Sequence, residues 1–373
     1  MRRKLHRCTV GAIPGDATHR RRRGSVFQRL FILALLAFVL PCLAQRPPIV
    51  IPVSRDTVLE QLPRGYAALE PRAKGRDASL TEAQALLAIA ARTGDGRLAA
   101  RAEGLLAALP AHEKTTAAAL STRAFAAQHR HDFAEALHLL DQAIAAAPRD
   151  ANARLSHAQI LLVQGRLDAA RRDCAALALG VDADAGTLCI AALAMRRGNV
   201  AQAADLLDRW LARPSRDRDL LRYVLVMRGE TASRSGDVHA DAWFHRALAL
   251  APDDVRTLAA FARHLRAHGR DADAFALLTH APDTDGLALQ RVLAAQASRL
   301  PEAPRLAAAL ARRYALAHAL DATPELRDEA EFALTVRGDA ATALRLARKN
   351  FETQRDVEDI DLLQRATAAV ARR

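Results

Sequence analysis

Cys174 and Cys189 lie on either side of a break centred near Val181 and Asp182, each seven or eight residues from that centre. Two antiparallel helices joined there would carry both thiols at the same height. In an oxidising compartment they would close a disulfide; the alternative is two small thiols buried in an alanine-rich core. His129, His131 and His138 gather around another break, and His264 and His268 stand at i, i+4, a spacing that can hold a metal. No His-Glu-x-x-His accompanies them, and the first group straddles a turn where polar residues belong, so no metal site is expected. The chain also lacks a nucleophile elbow, a glycine-rich phosphate loop, a Cys-x-x-Cys pair and acids held at a fixed spacing. Its acids are scattered over helix faces as solvated charge. The expectation is a protein with no catalytic residues and no cofactor.

The elements that carry these residues are helical hairpins. Thr116 to Asp150 holds two apolar-periodic segments, Ala118 to Gln128 and Phe133 to Ala146, separated by His129-Arg130-His131-Asp132 and closed by Pro148. Small Ala124 and Ala136 sit where two helices would cross closely, and Leu120, Phe133, Leu140 and Ala143 would fill the space around them. With Ala136 as marker, alanines recur at Ala99, Ala170, Ala203, Ala240, Ala274 and Ala343, in steps of 37, 34, 33, 37, 34 and 69, with Ala308 as the marker inside the double step. Glycine precedes the marker by five residues at Gly94, Gly165, Gly198, Gly269 and Gly338, and by four at Gly236. At that place it ends the first helix in a left-handed cap; His131 takes the slot in the hairpin from Thr116.

Counted from Ala117, this hairpin resembles the tetratricopeptide repeat, a helix-turn-helix unit of about 34 residues with small residues at positions 8 and 20, a large apolar residue near 24, Ala at 27 and Pro at 32. The resemblance implies an all-α, right-handed superhelical solenoid that binds other proteins on a concave face lined by first helices. About eight hairpins fall between residues 79 and 356, and residues 357–373 form a capping helix. Positions 2, 5, 9, 12 and 13 of the family's first helix imply a groove of Ser121, Phe125, Gln128 and His129, then Asn152 and Gln159, then Arg196, then Arg256, Arg263 and Arg266. That lining would pass from polar and apolar to basic, so an acidic or C-terminal peptide segment is the expected ligand. The Lys and Asn that clamp a terminal carboxylate in chaperone-binding relatives are absent, Ser121 and Phe125 holding those places in one unit and Leu155 and Gln159 in the next. Two departures from the pattern stand out. Glu331 falls where position 8 should be small, and so does Arg228 unless Gly229 takes its place.

Composition bounds the rest. Aromatics are 4% of the 373 residues against 51% apolar, so the core is built from close alanine and leucine contacts. Net charge is +12, but residues 1–29 carry nine basic groups against Asp16, which leaves too little elsewhere to argue for nucleic acid. Arg supplies 50 of the 54 basic residues, the mark of a GC-rich bacterial genome. Arg20 to Arg23 and Arg29 precede an apolar run from Leu30 that ends Cys42-Leu43-Ala44, which makes residues 1–44 a secretory signal cut after Ala44. Its fifteen residues fall short of the roughly 20 that span a bilayer, and an inner-membrane anchor through residues 30–44 is the alternative. A proline-containing lead-in follows over 45–78, with a short helix from Thr57 to Leu62. The chain reads as an exported, periplasmic interaction module, or else as a scaffold that self-associates or holds an envelope complex together.

Overall fold

The computed structural model describes residues 78–214, 217–319 and 325–372. The expected signal segment, the lead-in to residue 77 and the short helix at 57–62 lie outside them. The described chain is all-α. Helices pair in sequence: α1 (Ala78–Thr93) with α2 (Gly96–Ala108), then, after a single turn α3 (Ala111–Lys114), α4 (Ala117–His129) with α5 (Phe133–Ala146) and α6 (Ala151–Val163) with α7 (Leu167–Ala176). The series continues with α8 (Ala183–Arg196) and α9 (Val200–Leu211), α10 (Arg218–Ser235) and α11 (Ala240–Leu250), α12 (Val255–Ala267) and α13 (Asp271–Leu277). It ends with α14 (Asp285–Ala297) and α15 (Ala303–Ala319), α16 (Leu326–Glu331) and α17 (Ala340–Phe351), and a last helix α18 (Val357–Ala371).

Local chemistry sets where these helices start and turn. Asp95, Thr116, Asp132, Asp150, Asp182, Asp217, Asp254, Thr284 and Asp339 each accept a backbone N–H of the helix they precede, a cap worth about 1 kcal/mol. Every hairpin turns on a left-handed residue. Six are the glycines of the sequence pattern, with φ between 62° and 77°, and two are His131 (60°) and Arg299 (53°). The marker alanines are buried where the helices cross, none more than 4% exposed. Ala308 is a correction: it is exposed, and Ala303, four residues after Arg299, is buried in its place.

Gly229, not Arg228, is the small residue at the α10–α11 crossing. A Cβ on Gly229 would stand 2.9 Å from the Phe244 ring, whereas Arg228 reaches out to Asp208 at 2.7 Å. Two single π turns interrupt the pattern. At Leu177–Val181 the chain widens beside Gly186, where a Cβ would meet Ala178 at 2.4 Å; directly below, Cys174 on α7 and Cys189 on α8 form a disulfide with Cα atoms 5.2 Å apart. The second, Phe332–Val336, follows the short α16, and Ala330, one residue before Glu331, is the fully buried small residue there. Glu331 turns outward to Arg365 on α18.

The solenoid curls back on itself. α1 returns against α12, and a Cβ on Gly94 would lie 2.8 Å from Thr284 at the start of α14. The ends of the following first helices meet the residues around 325 and 354–358. The first helices therefore line a narrow lumen, not an open trough.

Candidate interaction groove

The lumen wall is built from the inner faces of α6, α8, α10, α12, α16 and the start of α18. Gln159 on α6 donates to the Tyr223 hydroxyl on α10 at 3.2 Å, and the Arg256 guanidinium lies 4.9 Å above the Tyr223 ring. Arg263, two turns further along α12, faces Glu230 of α10 at 3.9 Å. Arg327 faces Asp359 at 3.7 Å, and Asp359 is buried, accepting from Asn350 at 2.8 Å and from the backbone of Asp356 at 2.8 Å.

The amino-terminal end of α18 is seated against the carboxy-terminal ends of α6, α8 and α10. The backbone N–H of Arg355 donates to the Val163 carbonyl at 2.7 Å. Arg196 pairs with Asp356, and Arg234 with Glu358 at 3.2 Å. His131, at the end of α4, lies 3.1 Å from Glu325 and 3.1 Å from Gln354. Each contact matches the helix dipoles: carbonyl ends flanked by cations meet an N–H end flanked by acids.

The field inside follows from this interleaving. Arg263 keeps 43% of its side chain accessible and Arg256 is also exposed, yet desolvation is the largest single influence on both. Protein surrounds them at a distance while water still reaches the guanidinium, as on the wall of a channel. Burial pulls Arg263 below its ordinary pKa, with Glu230 opposing; at Arg256 the Tyr223, Glu230 and Asp254 charges overcome burial and raise it. Burial pushes Asp328 up to about 6, against the pull of Arg327. Burial also works against the Glu358 carboxylate, but its own backbone N–H together with Arg234, Arg263 and Arg327 holds it below the usual range.

The residues expected from sequence fall into three groups. Gln159, Arg196, Arg256 and Arg263 reach the lumen as described. On the first helices nearer the start of the array, Phe125 is 36% exposed, Asn152 is exposed, and Gln128 and His129 are half-buried; burial lowers the His129 pKa. The Ser121 hydroxyl is buried without a partner. Arg266 is a correction. Its guanidinium is drawn toward α13 and α14, donating to Gln290 at 2.9 Å and lying 3.4 Å from Asp271, so these partners hold it although it stands only three residues on from Arg263. The expected run from polar to basic is corrected too: Glu230, Asp328, Glu358 and Asp359 alternate with the arginines.

Tyr223, Glu230 and Arg234 are lumen residues that the sequence pattern does not bring out while Arg228 holds position 8 of α10. With Gly229 at position 8 they fall at positions 2, 9 and 13, so the signal was present. The histidine pairs do not form a ligand set. Both His264 nitrogens are engaged, by Ser233 at 2.8 Å and Asp241 at 2.9 Å, and His268 Nδ1 is held by the His264 carbonyl at 2.8 Å. Among the described residues no cluster of metal-ligating side chains occurs, and no helix is long and apolar enough to cross a membrane.

Residues 127–179 match the tetratricopeptide repeat family model. Among solved structures, a tetratricopeptide repeat protein from Parabacteroides merdae is similar at 15% identity, over 66% of this chain and 97% of that one, with a TM-score of 0.41. Yeast Tom70 is similar at 14% identity over 80% of this chain and 60% of its own, with a TM-score of 0.44. No curated protein matches the sequence. The family match covers the end of α4 through α7, two hairpins that share their left-handed turns and alanine crossings with those on either side.

Proposed function

We propose that this chain is a non-catalytic adaptor of the bacterial envelope that holds an acidic segment of a partner protein in the lumen formed by its first helices. The observation that carries this reading is the seating of Asp356, Glu358 and Asp359 against Arg196, Arg234 and Arg327. The wall already receives one acidic helix end from its own chain, and the same arginine forks suit carboxylates of a partner. Arg256 and Arg263 keep wetted guanidinium groups in the lumen. The basic, apolar leader supports export to the periplasm, and the Cys174–Cys189 pair suits an oxidising compartment.

The test is affinity capture from bacterial envelope extract with protein beginning at Gln45, beside the same protein carrying Arg256→Glu and Arg263→Glu. A protein held by the first and lost by the second supports the reading; the same set held by both overturns it. A specific feature favours self-association as a second reading. At the outer end of the array Val370, 39% exposed on α18, and Leu344 share a shallow groove with Arg345, Arg348, Lys349 and Glu352. A sedimentation measurement that finds only monomer removes it.

A further inference from the structure

The last full hairpin departs from the repeat pattern where it encloses a cavity. α16 stops after six residues, and the π turn Phe332–Val336 replaces the rest of a first helix. Single π turns that break a regular pattern are frequent at functional sites. The widened backbone leaves about 200 Å³ between α15, the π turn and α17. At about 30 Å³ per water this is room for about seven waters, which bounds any ligand to a similar number of non-hydrogen atoms.

Two buried polar atoms on the cavity wall have no partner. Tyr314 is 4% exposed and its hydroxyl makes no hydrogen bond. Glu329 uses Oε1 to hold His318 at 2.8 Å, while its Oε2 is buried and unbonded. A buried polar atom left unpaired costs about 1–3 kcal/mol, more when it is charged, so two facing one cavity call for an occupant. Glu329 is acceptor-only and the tyrosine hydroxyl can accept; both are satisfied by one ammonium. Desolvation raises the Tyr314 pKa, and Asp328, Asp285 and Glu329 add to it, which marks the surrounding field as negative. The Tyr314 and Phe332 rings meet edge to face at 5.5 Å and give the cation an aromatic wall. Ala311, Ala315, Ala333 and Thr342 line the rest, and the exposed Arg337 completes the lining.

We propose that this cavity is a binding site for a small zwitterion of the α-amino-acid class, its ammonium held by Glu329 and Tyr314 and its carboxylate met by Arg337. The site lies in a different hairpin interior from the lumen and does not depend on the adaptor reading. Glu329 is available because a single imidazole engages only one of its oxygens.

The experiment is ligand-observed saturation-transfer NMR with the whole chain and three probes of one carbon skeleton: valine, isobutylamine, which lacks the carboxylate, and isovalerate, which lacks the ammonium. Valine binds, isobutylamine binds at least tenfold more weakly, and isovalerate gives no saturable signal. Glu329→Gln and Tyr314→Phe each weaken valine tenfold or more, with thermal melting showing that both variants are folded. Arg337→Gln brings valine down to the affinity of isobutylamine. The proposal is overturned if valine does not saturate by about 10 mM, if isovalerate matches it, or if folded Glu329→Gln binds it unchanged.

Discussion

Asp328 offers a stability test whose sign and size follow from its surroundings. Its carboxylate faces the lumen between Arg327 and Arg263 and lies so close to α14 that a Cβ on Gly286 would stand 3.1 Å from its oxygen. Burial is the dominant influence; Glu325 and Asp285 add to it, Arg327 and Arg263 oppose it, and the pKa rises from the ordinary 3.8 to about 6. A carboxyl raised in the folded state binds its proton there when the unfolded chain has already lost it. Stability is therefore unaffected below about pH 4 and falls as pH rises through the window from 3.8 to about 6. At about 1.36 kcal/mol per unit the full effect is about 3 kcal/mol; screening by lumen water reduces it to about 1–2 kcal/mol. Asp328→Asn removes the buried charge. Urea unfolding at pH 4 should give the same midpoint for wild type and variant, and at pH 7.5 the variant should be more stable by about 1–2 kcal/mol, with an unchanged slope. A variant less stable than wild type at pH 7.5 would refute the reasoning, since it would mean that the neighbouring arginines need this anion more than burial disfavours it.

Three further outcomes follow from the packing. Arg299→Gly relieves a left-handed L-residue at an exposed turn and should stabilise the chain by about 0.5–1 kcal/mol in chemical denaturation, whereas His131→Gly should gain nothing because it also removes the contacts to Glu325 and Gln354. Gly229→Ala pushes a methyl against the Phe244 ring and should cost about 1–3 kcal/mol by the same assay. Titration of unfolded protein from an oxidising preparation should find no free thiol at Cys174 and Cys189 until reductant is added, and reduction should lower stability by about 3 kcal/mol for a loop of 15 residues; two free thiols without reductant would remove the bond.

The helical hairpins were legible because their determinants are local. Alanine at the crossing, a left-handed glycine at the turn and an aspartate at the next helix start each act within a few residues of themselves, and each leaves a periodic mark. Where one device was replaced by an equivalent, phase was lost: Arg299 stands in for glycine and moves the buried alanine from 308 to 303, and Gly229 beside Arg228 moves Tyr223, Glu230 and Arg234 onto the inner stripe. The closure of the solenoid was not legible. It depends on curvature accumulated over several hairpins, which brings Arg196 to Asp356 and Val163 to Arg355, pairs separated by 160 and 192 residues in sequence. No short window of sequence holds both partners. The cavity beneath α15 was likewise hidden, although Glu331 in a small-residue position marked the hairpin as irregular.

The central claim is that a partner occupies the lumen and not the outer surface. A photoreactive benzoylphenylalanine at Gln159 or Arg256, on the lumen-lining first helices, should crosslink an envelope protein in living cells. The same group at Arg209, exposed on second helix α9, should crosslink nothing specific. Crosslinks from Arg209 with none from Gln159 and Arg256 would contradict a lumen-binding adaptor and place the interaction on the convex face.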